Sequence, residues 1–433
     1  MKLIKSLLLG AALLAASSFT WANEQYVPLL SYRVGPYGSN GTSFFGAMID
    51  YMTLVNLKGG INGVKLTWEE CETEYNASRG VECYERLKSR NGGATIVEPV
   101  STGIAYGILD RVGKDKVPMT TLGYGRSDAA NGKVFPYVFP LVSTYWNQAA
   151  AMVVHLGEKS GGMDKLKGKK IVHLYHDSAY GKEPLPVLEA EAAKWGFELI
   201  KIPVTPPGNE QQSQWLQIRQ ANPDYVIMWT FGVMSAVGLK TAQRNGFPRE
   251  KILGVWWAGS EEDTEPAGEA AKGFSTMSFT TPGEFPILDE IRTKLYKNGQ
   301  GNLKELDRVG NVMYVRGIAA AVMMVEAMRN AQAKFGKGKV LNGEQMRWGL
   351  ENLNIDRARQ KELGVEDMFP PMKTSCTDHE GSGAVKVVQW DGKKWVALSK
   401  NWLSGDRALV RKLLEDSSAA YAKEKGITPA CMK

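Results

Sequence analysis

Residues that could do catalytic or metal chemistry are few, and their spacing does not bring them together. The chain has four histidines in 433 residues. His173 and His176 sit in an apolar stretch that reads as a strand. Residues three apart on a strand face opposite sides, so this pair cannot share a metal. No CxxC, HExxH or GxSxG occurs, nor a phosphate-loop pattern or a GxGxxG followed by an acid. Gly336-Lys337-Gly338-Lys339 lacks the phosphate-loop spacing and reads as a connector. Ser101, Thr102 and Asp128 invite a triad reading, but no histidine stands at a strand end near them. The expectation is no metal, no cofactor and no enzyme.

The chain is instead rich in hydrogen-bonding and aromatic residues just beyond strand-like stretches. Tyr37 to Asn40 follow the first, Ser101-Thr102-Gly103 the third and Gly123-Tyr124-Gly125-Arg126 the fourth. Farther on come Asp177 to Gly181, Thr230-Phe231-Gly232 and Trp256-Trp257-Ala258. Ligands of open α/β sheets bind beyond the carboxyl ends of the strands, so six such clusters can line one cleft. Taken singly, each residue fits an ordinary cap or turn; Ser101 could simply cap the helix that follows.

The elements that must position these groups alternate. Strand patterns at 26–33, 65–68, 94–97 and 117–121 are separated by helical periodicity at 42–57, 80–90 and 103–112. The pattern restarts with helices at 146–156, 183–195, 211–221 and 234–245. Strands at 170–175, 197–202, 225–229 and 252–257 lie between and after them. Such alternation predicts βαβ units and two parallel sheets, hence two α/β domains. Helical stretches follow near 286–298, 309–333 and 343–353. Asp391-Gly392 joins a hairpin of 384–388 and 394–398, and a helix over 406–425 precedes Cys431.

Lys2 and Lys5, the short apolar run at 7–16 and the small residues Thr20 and Ala22 read as a secretory signal cut after Ala22. The run is too short to span a bilayer. The formal charge of +7 becomes +5 once those two lysines are removed, with no block of like charge. Nucleic acid is therefore not an expected partner. Export places Cys71, Cys83, Cys376 and Cys431 in an oxidising space, where disulfides form. Cys71–Cys83 and Cys376–Cys431 are the expected pairs among three possible connectivities.

Five stretches together carry a family resemblance. They are Gly35-Pro36-Tyr37-Gly38, the nine residues from Lys58 to Leu66, His176-Asp177-Ser178-Ala179-Tyr180-Gly181, Asn222 to Val226, and Ala242 to Phe247. Over residues 26–400 the chain resembles the branched-chain amino acid type periplasmic binding proteins of ABC importers. The resemblance implies two doubly wound parallel-sheet lobes joined by a three-crossover hinge, the type I periplasmic binding protein fold. One lobe would hold 23–140 and 278–365. The other would hold 141–277 and 366–433, with a C-terminal helical tail. It also implies a periplasmic monomer that closes on a small molecule and delivers it to a membrane permease.

Matching positions suggest Ser101 and Thr102 for a ligand carboxylate, completed by Tyr124 and Gly125. Tyr180, Phe231 and Asn40 would complete the pocket. One departure stands out. Amino-acid binders place an acid just past the strand ending here at Gly254, where this chain has Val255-Trp256-Trp257, with Glu261 and Glu262 later. An ammonium left unpaired in a closed cleft costs several kcal/mol, so Trp256 and Trp257 point to an aromatic acid. A branched-chain amino acid, a small amide and a ligand-sensing role remain open alternatives.

Overall fold

The computed structural model describes residues 23–431, and the export signal read at 1–22 lies outside the described residues. β1 (Glu24–Leu29) pairs in parallel with β2 (Lys65–Glu70), Tyr26 opposite Thr67. Between them runs α1 (Gly38–Leu57), buried on most of its surface. α2 (Ala77–Leu87) is capped by the Asn76 side chain, and α3 (Thr102–Asp115) by Ser101. β3 (Met119–Thr120) and β4 (Val138–Phe139) continue the parallel arrangement.

The strand expected at 94–97 contributes one ladder position, Val97 opposite Met119. Side chains replace its remaining bonds to β1. The Thr95 hydroxyl donates to the Tyr26 carbonyl and accepts from Gln25 Nε2. The strand expected at 26–33 ends at Leu29, which leaves Tyr32 in the loop beyond it.

The second half opens with α4 (Tyr145–Lys159), then β5 (Lys170–His176), α5 (Ala179–Lys182) and α6 (Leu185–Trp195). β6 (Glu198–Val204), α7 (Gln212–Ala221), β7 (Tyr225–Trp229), α8 (Val233–Arg244) and β8 (Ile252–Gly254) follow. α9 (Glu261–Thr264) leads to β9 (Ser275–Ser278). The chain then returns to the first half with α10 (Pro286–Lys294), α11 (Val312–Phe335), α12 (Gly343–Glu351), β10 (Asn354–Ile355), α13 (Arg357–Glu362) and β11 (Met372–Lys373). It ends with β12 (Lys386–Trp390), β13 (Trp395–Ala397) and α14 (Arg407–Lys425).

The larger sheet has seven strands in the order β13-β12-β9-β8-β7-β5-β6. β6 through β9 are parallel, and the β12–β13 hairpin closes one edge antiparallel. In the other lobe, α11 packs directly on α1. A Cβ on Gly317 would come within 2.2 Å of the Phe44 carbonyl oxygen, so only glycine allows this approach.

Two lobes result, and the chain passes between them three times. Two passes run side by side. Val142 N–H donates to the Glu380 carbonyl at 2.8 Å, and Gly383 N–H donates to that of Val142 at 2.7 Å. The buried Glu380 carboxylate fixes this region by accepting from Thr144 N–H at 2.6 Å and from Asn147 Nδ2 at 2.7 Å. α14 touches both lobes. Asp406, before its first turn, pairs with Lys194, and near its end Tyr421 donates to Asp110 at 2.9 Å.

The structure joins Cys71 to Cys83 and Cys376 to Cys431. By the loop-entropy model the shorter bridge contributes about 3 kcal/mol. Replacing Cys71 and Cys83 by serine is expected to lower the thermal midpoint by a few degrees; an unchanged midpoint would show that the bridge adds no stability.

Candidate functional site

A narrow cleft lies between the lobes at the strand ends, with a free volume of about 10 Å³, room for about one water. That is far below the roughly 300–1,000 Å³ of most ligand pockets, so its walls pack against one another here and must part to admit a ligand. Thr102, Tyr124, Tyr180, Phe231 and Trp257 line it, all five selected from the sequence. Tyr32, Tyr75, Val100 and Tyr145 complete the wall. No charged side chain reaches the surface of this cavity.

The turn into α3 supplies the polar end. Thr102 opens the helix, and its Oγ1 accepts from Gly125 N–H at 3.3 Å. The dipole of this helix favours negative charge at that point. Ser101 sits just behind as the N-cap, accepting from Ile104 N–H at 3.4 Å. Tyr124 Oη accepts from Val100 N–H at 2.7 Å and donates to Glu98 Oε1 at 2.8 Å. Val100 has φ of +47°, a left-handed conformation that a β-branched residue rarely adopts. Burial pushes the Glu98 carboxyl up to about 7, against hydrogen bonds from Thr120, Tyr124 and Leu122.

The other lobe brings the rings. Trp256 and Trp257 both donate their indole N–H to the Gly123 carbonyl, at 2.7 and 2.9 Å. Gly123 has φ of +69°, and a Cβ there would lie 2.5 Å from Phe279. Trp257 faces the cavity, whereas Trp256 lies behind it, stacked on Tyr145 at 5.7 Å. Tyr180 is held by its hydroxyl on the Thr230 carbonyl at 2.9 Å. Tyr32 is fully buried, and its hydroxyl has no hydrogen-bond partner among the described residues.

The mouth is shut by Tyr37, stacked on Phe231 at 5.1 Å and hydrogen-bonded to His176 Nε2 at 3.0 Å. Burial pulls the His176 imidazole down to about 4, so it is neutral at pH 7. His173 bonds instead to the Gly181 carbonyl, so the two histidines serve separate partners.

Beside the mouth, Asn40 Nδ2 donates to Ser260 Oγ at 3.2 Å and to Asp263 Oδ2 at 3.4 Å. Asn40 thus ties the lobes together rather than lining the cavity. The two acids noted after the tryptophans act likewise. Glu261 accepts from Val312 N–H at the start of α11, and Glu262 from Ser43 Oγ. Asp263 is the acid that turns inward. It is fully buried, and burial pushes it up to about 7 against Ser260, Ser235 and the Gly232 N–H; its Oδ1 has no hydrogen bond of good geometry among the described residues.

Arg316, from α11, is also fully buried. Its Nη2 donates to the Trp256 carbonyl at 2.8 Å, and the guanidinium lies 5.1 Å from the Trp257 and Phe279 ring centres. Sequence reasoning passed over it because a lone arginine in an apolar helix carries no motif. Tyr75 lay in an unassigned loop, and Tyr145 stood one residue before the expected helix.

A model of the family described as periplasmic binding protein matches residues 24–394. The chain belongs to the periplasmic binding protein family. A solved structure from the Pseudomonas fluorescens group, described as an ABC transporter permease, is 48% identical to this binding protein. The match covers 95% of this chain and 100% of that one, with a TM-score of 0.87. A branched-chain amino acid ABC transporter from Thermus thermophilus with bound valine is 19% identical, covering 90% of this chain and 98% of its own, with a TM-score of 0.75. A solute-binding protein from Rhodopseudomonas palustris in complex with benzoate is 17% identical, covering 89% and 99%, with a TM-score of 0.70. At those identities the last two show the shared fold. Comparison with curated proteins gives no match. Among the described residues of the binding protein, no helix is long and apolar enough to cross a membrane.

Proposed function

We propose that this is an exported solute-binding protein that captures a small aromatic carboxylate between its lobes and delivers it, as a monomer, to the permease of an ABC importer. The reading divides the mature chain into a lobe of 23–140 plus 278–365 and a lobe of 141–277 plus 366–433. The observation that carries it is the cluster of tyrosine, phenylalanine and tryptophan walls facing each other across the lobes, with the start of α3 at their polar end. A flat apolar ligand fits such walls, and an anionic group fits the helix start. A benzoate-bound relative of the same fold adds support.

The test is titration calorimetry with benzoate and with leucine, alongside small-angle scattering. Benzoate is expected to bind and to shrink the radius of gyration; micromolar leucine binding without benzoate binding would overturn the aromatic reading. Trp257→Ala is expected to weaken benzoate binding by about 1–3 kcal/mol, the scale of one lost aromatic contact surface.

A branched-chain amino acid is the second reading, and Asp263 is what favours it. Its Oδ1 has no hydrogen-bond partner among the described residues, and its charge is felt by Tyr180 in the cleft wall, so it is placed to meet an ammonium. Asp263→Asn separates the two, because it should weaken leucine binding and leave benzoate binding largely intact.

A further inference from the structure

We propose that Glu98 is a positioning residue of this cleft, holding the Tyr124 hydroxyl that shapes the carboxylate cradle and taking up one proton from solvent when a carboxylate binds. The proposal rests on the reading of the ligand as a carboxylate.

Glu98, Val100, Ser101 and Thr102 share one short turn between the Val97 bridge and α3. A single hydroxyl ties that turn together. Tyr124 Oη accepts from Val100 N–H at 2.7 Å and donates to Glu98 Oε1 at 2.8 Å. Leu122 N–H also donates to this oxygen, at 3.4 Å. Val100 is thereby held at φ of +47°, where it forms cavity wall beside Thr102. A valine is not left in that conformation without something to fix it. Glu98 therefore acts on the ligand through Tyr124 and Val100 and does not itself line the cavity.

Its surroundings decide its charge. Tyr124 faces it from the loop after β3, and the Tyr32 phenol lies close by, after β1. Thr120 and the Leu122 N–H complete the contacts, and no lysine, arginine or histidine contributes to its ionisation. Burial raises its pKa to about 7, so near neutrality the carboxyl is divided between its two forms. An anion arriving at Thr102 meets like charge through Tyr124 when Glu98 is ionised, and none when it is protonated. Like charge raises a carboxyl further, so binding the anion must draw a proton onto Glu98. By reciprocity, protonation tightens binding.

The experiment is calorimetric titration of the mature protein with benzoate and with leucine, from pH 5.5 to 8.5, in buffers of different ionisation enthalpy. Both probes carry a carboxylate. With benzoate up to one proton should be taken up, and affinity should fall above pH 7 with a slope approaching tenfold per pH unit; leucine would also release a proton from Asp263, so there the readout is the difference between wild type and Glu98→Gln. Glu98→Gln keeps an oxygen for Tyr124 and Leu122 but cannot titrate. It should bind benzoate with a flat pH profile and no uptake. Tyr124→Phe should weaken binding at every pH, because the Val100 N–H loses its acceptor. Benzoate binding without proton uptake, or the same proton exchange in wild type and Glu98→Gln with either probe, overturns the proposal. Leucine binding alone, with a proton exchange that Glu98→Gln shifts by up to one proton, overturns the aromatic ligand and supports Glu98. If neither acid binds the folded protein, both readings fall.

Discussion

Replacing Arg316 with methionine is expected to destabilise the protein by about 1–3 kcal/mol, the cost of leaving the buried Trp256 carbonyl without its charged donor and the nearby acids without a cation. Arg316 is fully buried on α11, and Asp263, Glu261 and Glu262 are the acids whose charge favours its ionised form. Burial lowers its pKa only to about 10, so it is a cation at any physiological pH. Its Nη2 also supports the Trp256 carbonyl, the backbone that presents Trp257 to the cleft. Methionine fills comparable volume but supplies neither donor nor charge.

The pH dependence of this loss identifies its cause. With the cation gone, Asp263 and Glu261, both already raised by burial, are relieved by protonation, so the destabilisation should be smaller at pH 6 than at pH 8. Arg316→Lys keeps the charge but loses the planar fork over two rings, and should recover part of the loss. Denaturant unfolding at both pH values reads all three outcomes. A loss below 1 kcal/mol at pH 8 would mean that the guanidinium is not needed to offset the acids.

How much of this was legible in the sequence differs between wall and scaffold. The βαβ alternation was, because helical and strand periodicities are local and Gly-Gly or Asn-Gly turns punctuate them. So were the five lining residues that stand directly after strands. Tyr32 and Tyr75 were not, because each reaches the cavity from a loop whose path is set by distant contacts. The two rings pack edge-on, 4.9 Å apart. Tyr75 and Glu74 both have positive φ, and the Cys71–Cys83 bridge encloses them both. The acid question turned on geometry that spacing cannot give. Glu261, Glu262 and Asp263 are consecutive, and a four-residue helix sends one to α11, one to α1 and one inward.

The same buried acids give the whole protein an unusual pH profile. Glu98, Glu183, Glu380 and Asp263 are each pushed up to about 7, in every case chiefly by burial. Most stabilising carboxylates are pulled down by partners and lose their contribution in acid. Here the sign is reversed. Between an unfolded value near 4 and a folded value near 7, the folded protein binds more protons than the unfolded chain. Stability from these groups is therefore fully present below about pH 4 and is lost as pH rises through 7. A pH unit is worth about 1.4 kcal/mol per group, so even one of the four lowers stability by about 3 kcal/mol across that window. Surface acids act oppositely at low pH: Asp110 is pulled down by hydrogen bonds from Lys425 and Tyr421, and Asp406, although burial raises it, is pulled down by Lys194 and the Leu409 N–H. The denaturant midpoint should thus peak on the acid side, near pH 5, and fall steadily towards pH 8. Glu380→Gln, which keeps an oxygen for Thr144 and Asn147 at the hinge, should flatten part of that fall. A midpoint that rises or stays level from pH 5 to 8 would show that these carboxyls are already ionised and hydrated, and that the cleft and hinge open far more readily than their closed packing implies.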